Sequence, residues 1–575
     1  MDSFYTPLRI AAATGLIVGL GYLALQKAYP EPLPGIPYNP DATKRLTGDM
    51  KEMTEEVENG GSFRSWFLEQ PTRHQSAITQ VFLGPLSKPA VIVSDFREVS
   101  DILKHREGVD IKRGLKMDAF RGLFSHAFPA METYDPRFKP YRDLGRDLMT
   151  PSFLNNINGP RIHDVVCELL DLWRLKVHLA KDHPFDIFRD LSELSFDVIL
   201  SAAMGLGAEG GDIRRQFDRL ARQPAAEIDS SLTDDTDDPI IFNGGPQSAK
   251  LSALCLQVDS LCKSMMFPWP AVFHRLNKLR PRVRAAEATL QGHVVSQIAQ
   301  ALPRLSRDDG EPHCALDYVV QREIRAAAKQ GRVPELDDPQ MHQAVSGYLI
   351  AGHDTSLGSF IWLIRRLMLD RRYQDLIRED LRATYWEAYA AGRVPTAAEL
   401  TGSRRSAWLD AFIQEVLRLD TPLNIIVMTR YDTILLGHHV PADTRVILNL
   451  TGPGISAPSV PVDEKSRSAT SRAHKASGPA RENWDDAEPH LFKPERWLRH
   501  DADGKLIYDG GLGPELAFSA GNRGCWGKRL AYLELRIVMA LLIWSFEFEL
   551  PRKFWLFRMY IMMCTALTSP IVFVF

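Results

Sequence analysis

Met341 to Leu369 is a long, mostly apolar stretch without a proline. Such a run reads as a helix buried at the centre of a large core. The chain can supply that core. Its 575 residues exceed the size at which one core usually stops growing, so it holds either several domains or one large fold with an appendage. A 45% hydrophobic and 25% charged composition is ordinary for a globular protein. The net charge is -3 and no basic block occurs, so nucleic acid is not an expected partner. Helical periodicity runs from Pro140 to Met204, and again at Leu251–Phe273, Val283–Leu302, Asp375–Ala391, Ser406–Leu419 and Gly527–Phe546. Phe96–His105 reads as a shorter helix. Strand-like runs occupy only Ile78–Val93 and Ile425–Leu450. The predicted class is mainly α, with small sheet elements near both ends of the sequence. The polar segment Gly205–Lys250 reads as a mobile loop region flanking short helices, and Thr451–Glu482 as a disordered or inserted loop.

The ends differ from the body. Ile10–Leu25 carries no charge and is followed by the proline-rich Pro30–Pro40. No small-residue cleavage site stands out, so an uncleaved single-pass membrane anchor over residues 1–29 is expected, against a cleaved signal or a buried helix. Lys44 and Lys51 favour a cytosolic body. The expected organisation is the anchor at 1–29, a proline-rich hinge at 30–61, one body at 62–546 with an inserted loop at 451–483, and a divergent apolar tail at 547–575. For that tail a divergent ending, a membrane-contacting segment and an incorrect gene model all stay open.

Six cysteines (Cys167, Cys255, Cys262, Cys314, Cys525 and Cys564) are sparse and lack CxxC spacing, which argues against a disulfide scaffold or a structural zinc site. Cys525 differs from the others in context. It lies in Phe518-Ser-Ala-Gly521-Asn-Arg523-Gly-Cys525-Trp-Gly527, directly before an apolar helix. Gly521, Gly524 and Gly527 permit positive φ angles and let backbone N–H groups approach the sulfur. The helix N-terminus is expected to lower the thiol pKa. Arg523 is a candidate partner for a bound carboxylate, and Phe518 and Trp526 are candidates to shield the sulfur. A lone cysteine in a glycine-rich turn is otherwise more often a buried structural residue.

The full spacing F-x-x-G-x-R-x-C-x-G resembles the haem-binding signature of the cytochrome P-450 family. Further segments resemble that family in its order. Glu415-Val-Leu-Arg418 is similar to its E-x-x-R element, Pro494-Glu-Arg496-Trp497 to its P-E-R-F-like segment, and Ala351-Gly352-His-Asp354-Thr355-Ser356 to its oxygen-activation motif. Gly145-Arg146 ahead of Leu-Met-Thr-Pro-Ser-Phe153 is similar to a propionate-binding segment, although Arg142 stands where the family often has Trp. Arg430 matches a second propionate arginine more loosely.

The resemblance implies a cytochrome P-450 fold and haem b with an axial thiolate from Cys525. Arg523, Arg146 and Arg430 would meet the propionates. Phe518, Gly521 and Gly527 would shape the loop. Gly352 would let the central helix pass close to the haem, and Asp354 and Thr355 would deliver protons to dioxygen. Glu415, Arg418 and Arg496 would form a buried supporting network. The implied activity is a monooxygenase that uses O2 and oxidises an apolar small molecule, in the manner of fungal secondary-metabolism members at the endoplasmic reticulum. No flavin or nicotinamide fingerprint is present, so electrons would come from NADPH through a membrane-bound flavoprotein reductase. A haem-thiolate isomerase or dehydratase, or a non-catalytic haem protein, is the alternative; the first usually lacks the Asp354–Thr355 type of pair. Substrate contacts are expected near Arg113–Phe128, Gly205–Lys250, Ser346–Ala351 and Leu423–Val427.

Overall fold

The computed structural model of the chain describes residues 28–550, apart from 85–86, 144, 207–209, 225–226, 228–232, 234, 236, 268, 306–309, 422–423 and 475–487, together with a strand at Val572–Phe573. The expected anchor segment Ile10–Leu25 and most of the tail lie outside these residues. No helix among the described residues is long and apolar enough to cross a membrane. The chain divides into two units: the described parts of Met1–Arg113, Leu423–Gly478 and Asp485–Pro489, and those of Gly114–Pro422, Pro479–Trp484 and His490–Phe575.

In the first unit, helices Met50–Glu58 (α1) and Phe63–Arg73 (α2) precede strands Ile78–Val81 (β1) and Ala90–Val93 (β2). Ser62 caps α2 by accepting from the Ser65 N–H at 3.0 Å, while the Ser65 hydroxyl accepts from the Ser62 N–H. Helix Phe96–Asp101 (α3) and strand Ile111–Lys112 (β3) follow, and Ile425–Thr429 (β4) and Arg445–Leu448 (β5) complete the unit's main sheet. The two strand-like regions foreseen near opposite ends of the sequence thus supply four strands of one five-stranded sheet, in the order β1-β2-β5-β4-β3, with β2 and β5 parallel; the edge strand β3 was not foreseen. Met53, Trp66, Val81, Ile92 and Ile447 pack between it and the helices.

The segment expected to be a disordered or inserted loop is ordered where it is described. Residues 464–466 form a 3-10 turn and Ala469–His474 a short helix. Arg467 pairs with Asp95 (2.9 Å), and Ser468 and Thr470 donate to Asp101 at 2.6 and 3.0 Å. Composition suggested disorder because the segment is polar; its polar groups instead satisfy the acids at the two ends of α3.

The second unit holds the helices Gly159–Ala180 (α4), Phe188–Ala203 (α5), Asp212–Arg222 (α6), Ala249–Met266 (α7), Pro270–Asn277 (α8), Pro281–Leu305 (α9), Ala315–Gln330 (α10), Pro339–Leu369 (α11), Arg371–Thr384 (α12), Ala407–Leu419 (α13) and Lys528–Ser545 (α14). The predicted run Leu251–Phe273 is two helices, because Pro270 starts a new one. Helix α11 begins at Pro339 behind an Asp338 cap and packs on α5, α13 and α14; its buried residues include Leu349, Phe360 and Leu367. α14 also packs on α4.

The region expected to be mobile, Gly205–Lys250, contains α6, which packs against α4 and α5. Buried polar groups pin it. Asp197 on α5 accepts from the Asp212 and Ile213 N–H groups at 2.9 Å, Asp212 accepts from Ser248 at 2.7 Å, and Gln216 donates to Asp190 and Glu193. Lys176 closes the network with both Asp190 oxygens at 2.7 Å, and Trp173 donates to Asp190 at 2.9 Å. Burial pushes the Asp197 carboxyl up to about 8 and Glu193 to about 7. Removing one member of a buried pair strands the other charge. Lys176→Ala should lower the unfolding free energy by about 3–5 kcal/mol in denaturant titration; a change below about 1 kcal/mol would show that Asp190 finds compensation elsewhere.

Candidate active site

The cysteine loop is built from short backbone bonds. The Cys525 N–H donates to the Phe518 carbonyl at 2.7 Å, and the Gly524 N–H to the Gly521 carbonyl at 3.0 Å. Gly521 has φ 68° and Ser519 φ 57°, so the loop does need the left-handed region. Gly524 (φ -51°) and Gly527 (φ -82°) do not, which corrects the expectation that all three glycines serve that purpose. Gly527 is the residue before α14, and its carbonyl accepts from the Ala531 N–H at 2.9 Å. A Cβ at Gly527 would lie 4.0 Å from the Cys525 sulfur, an ordinary contact.

Cys525 is a free, exposed thiol. Although it carries accessible surface, the protein packed around the loop makes burial the leading influence on it and pushes the thiol above its ordinary value. The Gly527 and Lys528 N–H groups and the charges of Lys528 and Arg142 pull it down. The helix terminus therefore acts in the expected direction, against the desolvation of the loop. Phe518 packs on Tyr532 (5.1 Å between ring centroids) under the Lys528 ammonium. Trp526 stacks edge-on to Tyr348 at 5.9 Å and lies against Gly145, where a Cβ would come within 2.2 Å of the indole. Gly145, quoted only as the neighbour of Arg146, is thus the position that makes room for Trp526.

The arginines divide. Arg523 donates to the Thr133 hydroxyl (2.9 Å) and the Phe128 carbonyl (3.3 Å), contacts the Met131 carbonyl and stacks on Phe138 at 3.9 Å. Arg146 is exposed. Arg142, noted as a departure from the family pattern, is near enough to act on the Cys525 thiol. Arg430 belongs to the first unit, where it donates to the Gly108 carbonyl and lies over Tyr431.

On α11, the Thr355 hydroxyl donates to the Ala351 carbonyl at 2.7 Å. This i to i-4 bond takes up lone-pair capacity of a helix carbonyl and loosens the local ladder. Burial holds the Asp354 carboxyl above the ordinary carboxylate range. His353 faces α5: its Nε2 is 3.2 Å from the Ser192 carbonyl, and the Ser195 hydroxyl donates to the His353 carbonyl at 2.7 Å. Burial pushes its imidazole down to about 4, so it packs as a neutral ring. A Cβ at Gly352 would meet Ile199 at 2.4 Å. The missing side chain therefore makes room for Ile199 in the α5–α11 contact. Ser356 donates to the buried Glu534 of α14 at 2.8 Å, and burial lifts that carboxyl to about 8. Sequence reasoning missed this pair.

The structure brings Glu415, Arg418 and Arg496 together. Arg418 donates to both Glu415 oxygens (2.8 and 2.7 Å), and neither side chain has accessible surface. Arg496 Nε is 3.7 Å from Glu415, the Lys493 N–H donates to it at 2.9 Å, and so does the Trp497 indole at 2.9 Å. Trp497 and Lys493 were not foreseen. The signal for Trp497 was its indole N–H at a position where the family-like segment carries Phe.

The donor set suits a haem better than a closed metal site. One exposed thiol stands without a second thiolate, and no group of three metal-ligating side chains occurs among the described residues. The comparisons agree. The family model "Cytochrome P450" matches residues 72–454 and 481–559. Similar proteins include the cytochrome P450 monooxygenase xilC of Penicillium rubens, 31% identical over 92% of this chain and 89% of its own length. Cytochrome P450 monooxygenase TRI13 of Fusarium sporotrichioides is 30% identical over 92% of both chains. A crystal structure of a cytochrome P450, CYP102L1, superposes with a TM-score of 0.59 at 16% identity, covering 90% of this chain and 94% of the other, which shows the fold. The chain belongs to the cytochrome P450 family. It is a haem monooxygenase, with haem held through a cysteine thiolate, and it works on an organic substrate with O2 and a redox partner reductase.

Gly352→Ala should cost about 1–3 kcal/mol through overpacking. Ile199→Ala in the same chain should recover most of the clash. Additive effects in a double-mutant cycle would mean that the two positions do not compete for the same space.

Proposed function

We propose that this monooxygenase oxygenates an apolar small molecule in fungal secondary-metabolite biosynthesis, with haem b ligated by Cys525. The carrying observation is an exposed thiol in a positive-φ loop at the start of α14, in a chain whose central helix bears an Asp354–Thr355 pair. The biosynthetic setting is supported by the fungal relatives, one of which is named for a gene cluster: the Hps1-dma1 cluster cytochrome P450 monooxygenase cyp3.1 of Dothistroma septosporum, 38% identical over 47% of this chain.

In this reading the haem supplies reductive activation of O2 and transfer of one oxygen atom to the substrate. The chain supplies the surroundings. Cys525 would hold the haem iron through its thiolate, Gly521 would set the loop's turn, Gly527 would lead into α14, and Phe518 and Trp526 would exclude water. Arg523 and Arg146 would meet the propionates. Asp354, kept readily protonated by burial, holds a proton that the Thr355 hydroxyl can orient and pass on. Glu415, Arg418 and Arg496 support the loop structurally. The uncharged segment at 10–25 anchors the chain as a single-pass protein in the endoplasmic reticulum, with the body in the cytosol and beside a membrane-bound flavoprotein that draws on NADPH. Residues 451–483 are an insertion in this family, supported by the break in the family match between residues 454 and 481.

The reduced, CO-bound protein should show the red-shifted Soret band of thiolate ligation, and Cys525→Ala should lose it; an unshifted wild-type band sinks the assignment. Thr355→Ala should keep the haem and consume O2, while coupled product formation falls by about 10²-fold. Fully coupled turnover in that variant would remove Thr355 from proton handling.

A further inference from the structure

From Lys465 to Arg481 the sequence contains no acid, and hydroxyl residues alternate with bases: Ser466, Ser468, Thr470 and Ser471 lie among Lys465, Arg467 and Arg472. The match to the family breaks over this stretch, between residues 454 and 481, and the chemistry described above uses none of it.

The segment 464–471 lies on α3. Arg97 of α3 pairs with Glu464 at 2.6 Å and donates to the Ser471 carbonyl at 3.0 Å. Arg467 pairs with Asp95 at 2.9 Å, and Glu98 pairs with Arg106 at 3.3 Å. Asp101 differs from these acids. It is 1% exposed and forms no ion pair among the described residues. Its Oδ2 accepts from the Ser468 hydroxyl at 2.6 Å and from the Thr470 hydroxyl at 3.0 Å, while its Oδ1 is buried without a partner. The docked segment thus closes over a carboxylate held by two neutral hydroxyls and no cation. A second negative charge at that point would meet no compensation.

The four hydroxyls are not equivalent. Ser471 is buried. Ser468 is spent as a helix cap, accepting from the Ser471 N–H at 2.9 Å, and Ser466 donates to the Asp463 carbonyl at 2.6 Å. Thr470 stands on an exposed side chain in the first turn of the short helix Ala469–His474. Arg467 precedes it by three residues, where a guanidinium can enter an acidic subsite of a kinase groove while the hydroxyl reaches the phosphoryl donor. In the docked segment Arg467 is only 8% exposed. A kinase can therefore take Arg467 and Thr470 together only after the segment lifts from α3.

We propose that Thr470 is a phosphorylation site for an arginine-directed serine/threonine kinase, and that the phosphate holds the segment 464–474 off α3. The Thr470 Oγ–P bond forms as the bond from the γ-phosphorus of a nucleoside triphosphate to its bridging oxygen breaks. The nucleoside diphosphate leaves with the electron pair, and the hydroxyl proton passes to the kinase's base. The product carries about -1.5 to -2 charges in place of a donor to Asp101. Docking and phosphorylation thus oppose each other, and each weakens the other by the same factor. After solvent screening, the shift in the docking equilibrium is on the order of 10²-fold.

The test treats the full chain with an arginine-directed kinase and magnesium ATP, maps the phosphate by peptide mass, and follows amide hydrogen exchange. Phosphate should appear on Thr470 and be lost from that peptide in Thr470→Ala. Exchange across 469–474 should then speed up by on the order of 10²-fold, while the strands β1 and β2 stay protected. In Asp101→Asn, which keeps an acceptor but removes the charge, the phosphate-dependent rise should shrink by about 10-fold or more. Phosphate absent from Thr470 in the native chain, even where the denatured chain accepts it, overturns the proposal. So does a phosphorylated Thr470 with unchanged exchange at 469–474. An undiminished rise in Asp101→Asn overturns it as well, because the repulsion would then not come from that carboxylate.

Discussion

The carboxylate of Glu415 is the constraint on which the second unit depends. A charge without accessible surface must be satisfied on every side, and four groups do so: Arg418 on the same helix, Arg496, the Lys493 N–H and the Trp497 indole. Glu415 and Arg418 of α13 thereby tie down the segment 491–497, which holds only the short 3-10 helix Pro494–Trp497. Breaking such a pair typically costs 3–5 kcal/mol, on the order of a third or more of a whole domain's stability, so the network acts as a specificity device for the loop region as well as a local bond.

The seam along α11 shows the same economy in space rather than charge. Gly352 lets Ile199 approach, and His353 spends its ring and carbonyl on Ser192 and Ser195, so α5 is locked to one side of the helix. Asp354 and Thr355 are the next residues round the helix. Their placement follows from the packing of their neighbours: at about 100° per residue, fixing two consecutive positions on α5 sets the direction of the following two. Ser356 then contacts Glu534 on α14, the helix that follows Cys525. The Asp354–Thr355 segment and the helix after Cys525 are therefore joined by a buried hydrogen bond one residue from Thr355.

Polar composition misleads in this chain wherever it meets buried partners. The stretch around Asp212 and the stretch around Arg467 both carry the residues of a mobile loop, and both are held by acids that lie inside the fold. Local composition measures affinity for water; it does not measure the ligands a neighbouring helix offers. α8 is the opposite case, with apolar residues that no element of the described chain covers.

Much of the site was legible because its chemistry depends on residue type at fixed local spacing. The loop about Cys525, the pair Asp354–Thr355, and Glu415 with Arg418 each lie within a few residues, where helix and turn geometry alone determine who can meet whom. The central helix was legible too, since a long proline-free apolar run has few alternatives to a buried helix. What the sequence could not determine is everything that depends on a distant partner. Only the tertiary structure joined the strands of Ile78–Val93 to those of Ile425–Leu450, since register between segments so far apart is set by pairing and not by pattern. Only it placed Ile199 opposite Gly352, Trp526 against Gly145, and Trp497 on Glu415. It also set the desolvation around Cys525, because desolvation is a property of surrounding atoms that local spacing does not encode.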